Sequence, residues 1–493
     1  MRMRAKSFAV VIALFLGVFG SVPSATATVS LQEGTDKAAV LFDPLKVITI
    51  KIDHALGEPV LTHKYLDSPV FRKANIRIYM AGSKKYVALA NVGVRLKGSY
   101  TRKFEKMSLK VNLDEFVPGQ NFLGITRLTL NAMYQDWSLV HEVTGYKLFR
   151  SAGIPAPRAG YAKVSVDGRY MGLYLNLESI DSDMLKRWFK STKHVYSGPR
   201  PCDLTPYNQC YQPSLGDTNR ADLVQFTKLD NLHGSQWWTE FKKRSNSELV
   251  LRMIATEIFL SHWDGYNGYS KNNHFVHFDN KNRMTLIPWG LDQTFPAEPK
   301  KQMAWGNSDQ SYFRDSTTKS TIHQHCFEYA PCFNELLHQG ILISKVARDI
   351  DLVGYKNQIS EKINRSQFRR NNMSAVDFKT QKRKQAWIDE FLVLRTQALR
   401  DFLAARKPAP LGVTTPKKGK NGETITATLQ PAWEPGVRVR FQWLLNGEPI
   451  SGATNPALKL KNFKPGDKLK LEITLSKNGV LDTVYRSKSI KVS

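Results

Sequence analysis

Ser261-His262-Trp263-Asp264-Gly265-Tyr266-Asn267-Gly268 is followed by Lys271-Asn272-Asn273-His274 and an apolar strand pattern from Phe275 to Phe278. A turn at Asp279-Asn280 leads to a second strand pattern from Met284, which ends in Pro288-Trp289-Gly290-Leu291-Asp292. A carboxylate and then an amide thus precede a predicted β-hairpin, and a second carboxylate follows it. That set suits phosphoryl transfer. The first carboxylate can orient an acceptor hydroxyl and take its proton, while the amide and the second carboxylate can hold a divalent cation against phosphate oxygens. Asp264 is the candidate catalytic residue; Asn272 or Asn273, with Asp292, are the candidate metal ligands. Just upstream, Leu249, Val250, Met253, Ile254 and Phe259 form one stripe over Ser247 to Ser261, which predicts a buried helix delivering Asp264.

Toward the N-terminus the pattern turns to strands. Segments 46–52, 75–80, 86–97 and 107–113 alternate apolar and polar residues, and 161–167 with 170–177 read as a hairpin across Asp167-Gly168. One helix, Trp137 to Arg150 with Asp136 as its N-cap, interrupts them. Alternation puts Leu109, Val111 and Leu113 on a core face and Lys106, Ser108 and Lys110 on the other, where, with Lys97, lysines can meet phosphate oxygens. Glu142 on the helix can pair with one of them. Glu178, at the end of Gly172-Leu173-Tyr174-Leu175-Asn176-Leu177-Glu178, marks the crossover into the helical half, which in a protein kinase is the hinge whose backbone groups meet the purine. The predicted fold class is α+β: a bilobal, protein-kinase-like domain over 40–406 with a β-rich N-lobe and a helical C-lobe, then a small all-β sandwich.

The boundary falls at residues 407–412, Lys407-Pro408-Ala409-Pro410-Leu411-Gly412, after an amphipathic helix over Gln381 to Arg406. Residues 413–493 show short alternating segments joined at Asn446-Gly447 and Asn478-Gly479, with Trp443 as the expected core residue. The stretch Phe441 to Thr454 and the Pro465-Gly466-Asp467 turn resemble bacterial immunoglobulin-like modules, which implies a spacer or adhesion role. At the other end, basic residues 1–6, the apolar run Phe8 to Phe19 and Ala25-Thr26-Ala27 read as a signal peptide over 1–27, and the apolar run is too short to span a bilayer. Secretion to the extracellular space or cell surface follows, with no transmembrane anchor. Cys202 with Cys210 and Cys326 with Cys332 are spaced as two local disulfides, while His323 and His325 beside Cys326 keep a metal reading open.

Lys+Arg outnumber Asp+Glu by 71 to 43, a net +28, which loss of Arg2, Arg4 and Lys6 lowers to +25. Hydrophobic residues at 42% supply real cores, excluding disorder or coiled coil as the dominant state. Residues 407–493 alone carry a net +9, which suits an anionic cell-wall polymer. No zinc-finger, RNA-recognition or helix-turn-helix signature accompanies the charge, so nucleic acid is not expected.

Across about 45–405 the chain resembles the spore coat protein H (CotH) kinase family. The resemblance rests on Val92-Gly93-Val94-Arg95-Leu96-Lys97-Gly98-Ser99, Leu128-Thr129-Leu130-Asn131-Ala132 with Asp136 and Glu142, and Gly153-Ile154-Pro155-Ala156. Gly168-Arg169-Tyr170-Met171-Gly172-Leu173-Tyr174 with Glu178, then Asp264, Asn272-Asn273 and Ile287-Pro288-Trp289, complete it. It implies a kinase-like fold using ATP with Mg²⁺ or Mn²⁺ to phosphorylate Ser or Thr of an exported or surface protein. Family members often carry an acid directly after the tryptophan, where this chain has Gly290, with the acid displaced to Asp292; a pseudokinase serving as a surface adhesin or coat component is the alternative. A metal-dependent hydrolase using His262, His274, His277 and Asp264 is the third reading, weakened because residues three apart on a strand face opposite ways.

Overall fold

The computed structural model describes residues 36–54, 68–98, 106–199, 201–296, 320–364, 378–404, 412–430, 437–477 and 483–493. The predicted signal peptide, nearly all of the predicted 407–412 linker and the predicted Asn478-Gly479 turn lie outside the described residues. Seven strands close into a barrel: β1 (Ile48–His54), β2 (Arg72–Tyr79), β3 (Tyr86–Lys97), β4 (Ser108–Asn112), β5 (Arg127–Asn131), β6 (Ala159–Val166) and β7 (Arg169–Glu178), in the order β1-β2-β3-β4-β5-β7-β6. Parallel pairing of β1 with β6, from Ile48 opposite Ala162 to Ile52 opposite Val166, completes the ring. Alternation works as the sequence suggests, since Ile50, Ile76, Val94, Leu96, Leu109, Val111, Leu130 and Val164 fill one buried cluster. Side chains of the other parity point outward, and Arg95 is opposite Lys110 while Lys97 is opposite Ser108.

Between β5 and β6 lies α1 (His141–Ser151). It starts four residues later than predicted because Asp136 caps the preceding turn instead, accepting from the amides of Ser138, Leu139 and His141 at 2.9, 3.0 and 2.8 Å. Leu139 at φ +64° holds the chain out of helical geometry there.

After the barrel come α2 (Ser182–Trp188), β8 (His194–Gly198), β9 (Gln212–Leu215), α3 (Ala221–Thr227), α4 (Gly234–Arg244) and α5 (Ser247–Leu260). The predicted hairpin follows as β10 (His274–Phe278) and β11 (Met284–Pro288), antiparallel with His274 opposite Pro288, in a sheet ordered β11-β10-β8-β9. Four helices close this half: α6 (Thr321–Glu328), α7 (Ala330–Asp349), α8 (Leu352–Ile363) and α9 (Phe378–Ala404). Helix α5 forms the buried stripe expected of it, with Val250, Met253, Ile254 and Phe259 each at most 1% exposed. Disulfides join Cys202 to Cys210 and Cys326 to Cys332. No helix among the described residues is long and apolar enough to cross a membrane.

Residues 412–493 are all-β around their own core, where the fully buried Trp443 packs with Leu469, Leu471 and Ile473 and donates its indole N–H to the Asn455 carbonyl at 2.9 Å. Val437–Leu445 pairs antiparallel with Lys468–Lys477 in a six-stranded sheet, accompanied by two two-stranded sheets. Asn446 and Gly447, at φ +51° and +103°, make the predicted hairpin turn.

Candidate functional site

Asp264 lies on the loop leaving α5, and that loop is held from below by Glu257. The buried Glu257 carboxylate accepts from the amides of Tyr266 and Asn267 at 3.1 and 2.7 Å. The half-buried Asp264 carboxylate receives the side-chain amide of Asn273 at 2.7 Å and, at 3.5 Å, that of Asn272. Three of the predicted residues therefore converge here. Asn273 sits at φ +47° and its carbonyl accepts from the Trp289 amide at 2.9 Å, tying the start of the hairpin to the segment that follows it.

Asp292 belongs to a second group. Gly290 takes φ +55°, its amide donates to the Tyr146 hydroxyl at 3.1 Å, and its carbonyl faces His262 Nε2 at 3.1 Å. One ring nitrogen of His141 contacts the Asp292 carbonyl at 2.9 Å, and Gly145 lets α1 approach Leu291, where a Cβ would meet the Leu291 side chain at 2.9 Å. Helix α1 is thereby seated on this turn, bringing Glu142 to Asp292. From the barrel wall comes Lys97, its ammonium 5.3 Å from the Trp289 ring centroid. The Asn131 side-chain amide donates to Glu142 Oε1 at 2.6 Å, while Glu142 Oε2 is buried with no hydrogen-bond partner.

The electrostatics of this group are dominated by lost hydration. Burial pushes the Glu142 carboxyl well above its ordinary range, and the negative charge of Asp292 pushes it further, with Lys97 opposing. Asp292 is raised by burial and then by Asp136, with His262 and Lys97 opposing. The Lys97 ammonium is lowered by burial, with Glu142 and Asp292 pulling it back up. Three carboxylates thus face one lysine ammonium and the His262 imidazole. The unsatisfied Glu142 oxygen and that excess of negative charge fit a divalent cation beside Asp292.

Other predicted residues have different positions. Lys110 is lowered to about 8, by burial first and then by Arg95, Lys97 and Arg127 around it on the outer barrel face. Lys106 precedes β4, so strand alternation does not place it. Its ammonium instead donates to the Leu173 carbonyl at 2.6 Å where β5 stops pairing with β7, and burial lowers it to about 7. Glu178 is held by two arginines: Arg158 Nη2 donates to one carboxylate oxygen at 2.8 Å and Arg187 Nη2 to the other at 2.5 Å. Its amide donates to the Arg158 carbonyl at 2.9 Å, so the purine position expected of Glu178 is taken by the protein's own ion pairs. The hydrolase histidines are held separately: His274 by the Tyr211 hydroxyl at 2.8 Å, His277 by the Thr192 hydroxyl at 3.0 Å, and His262 by Gly290. Burial lowers both His274 and His277 to about 4. Glu257 and Asn131 escaped sequence reasoning. Glu257 is one of five polar positions on α5, with Ser247, Glu248, Arg252 and Thr256, so the helical pattern alone did not single it out.

A barrel followed by a helical half, with a lysine, paired carboxylates and carboxamides gathered from four segments, defines a mixed α/β protein. Residues 94–399 match the family described as CotH kinase protein, well over half of the 493-residue chain, and the chain belongs to that family. It is 25% identical over 220 residues to the Inner spore coat protein H of Bacillus subtilis (strain 168), a match covering 42% of this chain and 59% of that protein. It is 33% identical over 75 residues to the Inner spore coat protein H-like protein of the same organism, covering 15% and 23%. The match thus spans less than two thirds of the length of either relative.

Proposed function

We propose that this chain is a secreted, catalytically competent protein kinase with a kinase-like bilobal layout, transferring the γ-phosphoryl group of ATP to a Ser or Thr hydroxyl of an exported or coat protein. The observation that carries the reading is the meeting of Lys97, Glu142 and Asp292 beside an Asp264 held by Asn272 and Asn273. Asp264 accepts the acceptor's proton as the hydroxyl oxygen bonds to the γ-phosphorus and the bond to the β,γ-bridging oxygen breaks, releasing ADP. Lys97, kept in register by Glu142, binds phosphate oxygens, and Lys110 with Arg95 and Arg127 extends that positive face. Asp292, with Asn272 or Asn273, would hold Mg²⁺ or Mn²⁺, which supplies charge neutralisation on the phosphates.

Gly290 favours this reading over the adhesin alternative. An added Cβ would lie 2.7 Å from the Asn273 side chain at a left-handed φ, so this arrangement leaves the metal-facing acid to Asp292. The immunoglobulin-like tail, within the +9 of residues 407–493, serves attachment to an anionic wall or coat polymer. The test is incubation of the purified chain with γ-labelled ATP and Mg²⁺ or Mn²⁺, alone and with exported proteins from the same source. Label on Ser or Thr supports the reading; metal-independent or absent ATP binding returns the chain to the adhesin class.

A further inference from the structure

Away from Asp264 and Asp292, a second donor cluster forms where α4 begins. His233 immediately precedes α4, and His325 and Glu328 lie three residues apart on one face of α6. One ring nitrogen from each histidine and one Glu328 carboxylate oxygen all lie within 4.8 Å of one another. His323 on the same helix does not join them; it faces Asn267 at 3.1 Å.

His325 is the informative member. It is 6% exposed, its ring is stacked on Trp237 with centroids 4.8 Å apart, and its Nε2 is 3.0 Å from Asp230 Oδ1. Its Nδ1 is buried with no hydrogen-bond partner. An imidazole with one nitrogen on a carboxylate and the other unpartnered is the state in which histidine ligates a metal, the carboxylate fixing the tautomer and raising the basicity of the free nitrogen. A buried ring nitrogen without a partner is otherwise costly. His233 and Glu328 are exposed, with His233 Nδ1 3.8 Å from a Glu328 oxygen, so rotation of either side chain can close the remaining gap. Tetrahedral zinc needs ligand atoms roughly 3.3 Å apart, up to about 1.5 Å closer than the 4.8 Å limit here.

We propose that His233, His325 and Glu328 bind a Zn²⁺ ion, with Asp230 as the positioning residue for His325 and water in the fourth position. Imidazole and carboxylate donors in a three-residue set favour zinc over Mg²⁺ or Ca²⁺, which take oxygen ligands. The ion ties the start of α4 to α6, next to the Cys326–Cys332 disulfide, and stands apart from the metal assigned to Asp292. It does not depend on kinase activity.

The experiment uses the full secreted chain without a histidine tag, in an Asp292→Ala background so that the proposed nucleotide-site metal does not count. Zinc titration followed by elemental analysis should give one tightly held ion per chain, and Co²⁺ loading should give the visible bands of a tetrahedral ion. His233→Ala and Glu328→Gln remove exposed side chains, so they keep the fold, and each should weaken zinc binding at least about tenfold. Asp230→Asn should weaken it by about 10- to 100-fold while leaving His233 and Glu328 in place. His325→Gln should abolish it; if that variant fails to fold, the two exposed variants still decide. Zinc absent from the Asp292→Ala chain, or bound equally by the His233→Ala and Glu328→Gln chains, overturns the proposal.

Discussion

Asp264 and Asp292 stand on adjoining loops, linked through Asn273 and Trp289, and the protein surrounds them in opposite ways. Neutral amides hold Asp264: its oxygens take the side chains of Asn273 and Asn272, and Glu257 pins the loop through backbone N–H groups. Charges surround Asp292, where Glu142 and Asp136 crowd it and Lys97 and His262 offset them. A carboxylate oriented by amides is set to accept hydrogen bonds in fixed directions. One placed among other carboxylates in a dry setting attracts a cation. The proposed kinase reading rests on that difference, giving proton handling to the first and metal handling to the second.

The largest effect is expected at Asp264. Asp264→Asn should cut transfer by roughly 10³-fold or more, within the range of a lost general base, while ATP affinity changes less than about twofold. A variant that keeps transfer would remove the division of labour altogether. Asp292→Ala should lose about 30- to 1,000-fold in rate, or ~2–4 kcal/mol, and weaken metal-dependent ATP binding as well. The same group predicts a pH signature. The folded-state pKa values of Glu142 and Asp292 lie above their unfolded values, so their contribution to stability is present at acid pH and lost as pH rises through those raised values. Mn²⁺ should therefore raise the thermal midpoint more at pH 8 than at pH 5, by about 2–5 °C, and Asp292→Ala should flatten that difference.

Gly290→Asp, which restores the acid common after the tryptophan, sharpens the comparison because it strikes the link between the two carboxylates. A left-handed non-glycine residue costs roughly 1–2 kcal/mol, and the new Cβ would push Asn273 away from Asp264. Transfer should fall by about tenfold, and Gly290→Ala, which adds the Cβ without the charge, should fall similarly. Higher activity in Gly290→Asp alone would show that the displaced acid at 292 is a poor substitute.

The Asp264 side of the comparison was legible in sequence because helix α5, the hairpin and the asparagines between them are contiguous and strictly periodic. Asp292 and Lys97 could be named, but their meeting depends on how β3 and α1 pack against the turn after β11, which local periodicity does not encode. Lys106 and Glu178 show where the pattern fails. Alternation says nothing of a residue before the strand begins, and Glu178's partners Arg158 and Arg187 are set by how β6, β7 and α2 pack. Strand β5 was missed as a strand, since five residues of alternation carry little weight without their neighbours.

The smallest effect is expected from removing residues 408–493. Every residue assigned to either carboxylate group lies between Arg95 and Asp292, and the core around Trp443 is composed of the tail's own side chains. Truncation before Pro408 should leave metal-dependent ATP binding within about twofold of the full chain, a change under ~0.5 kcal/mol. Binding to an anionic wall polymer should drop in the same variant and fall with added salt in the full chain, since the tail's lysines act through screened charge. Isothermal titration with ATP and Mn²⁺, beside co-sedimentation with purified wall polymer, reads both. A truncated chain that stays folded yet loses ATP binding would place part of the tail in the nucleotide site, and the two carboxylate environments would then no longer suffice to define it.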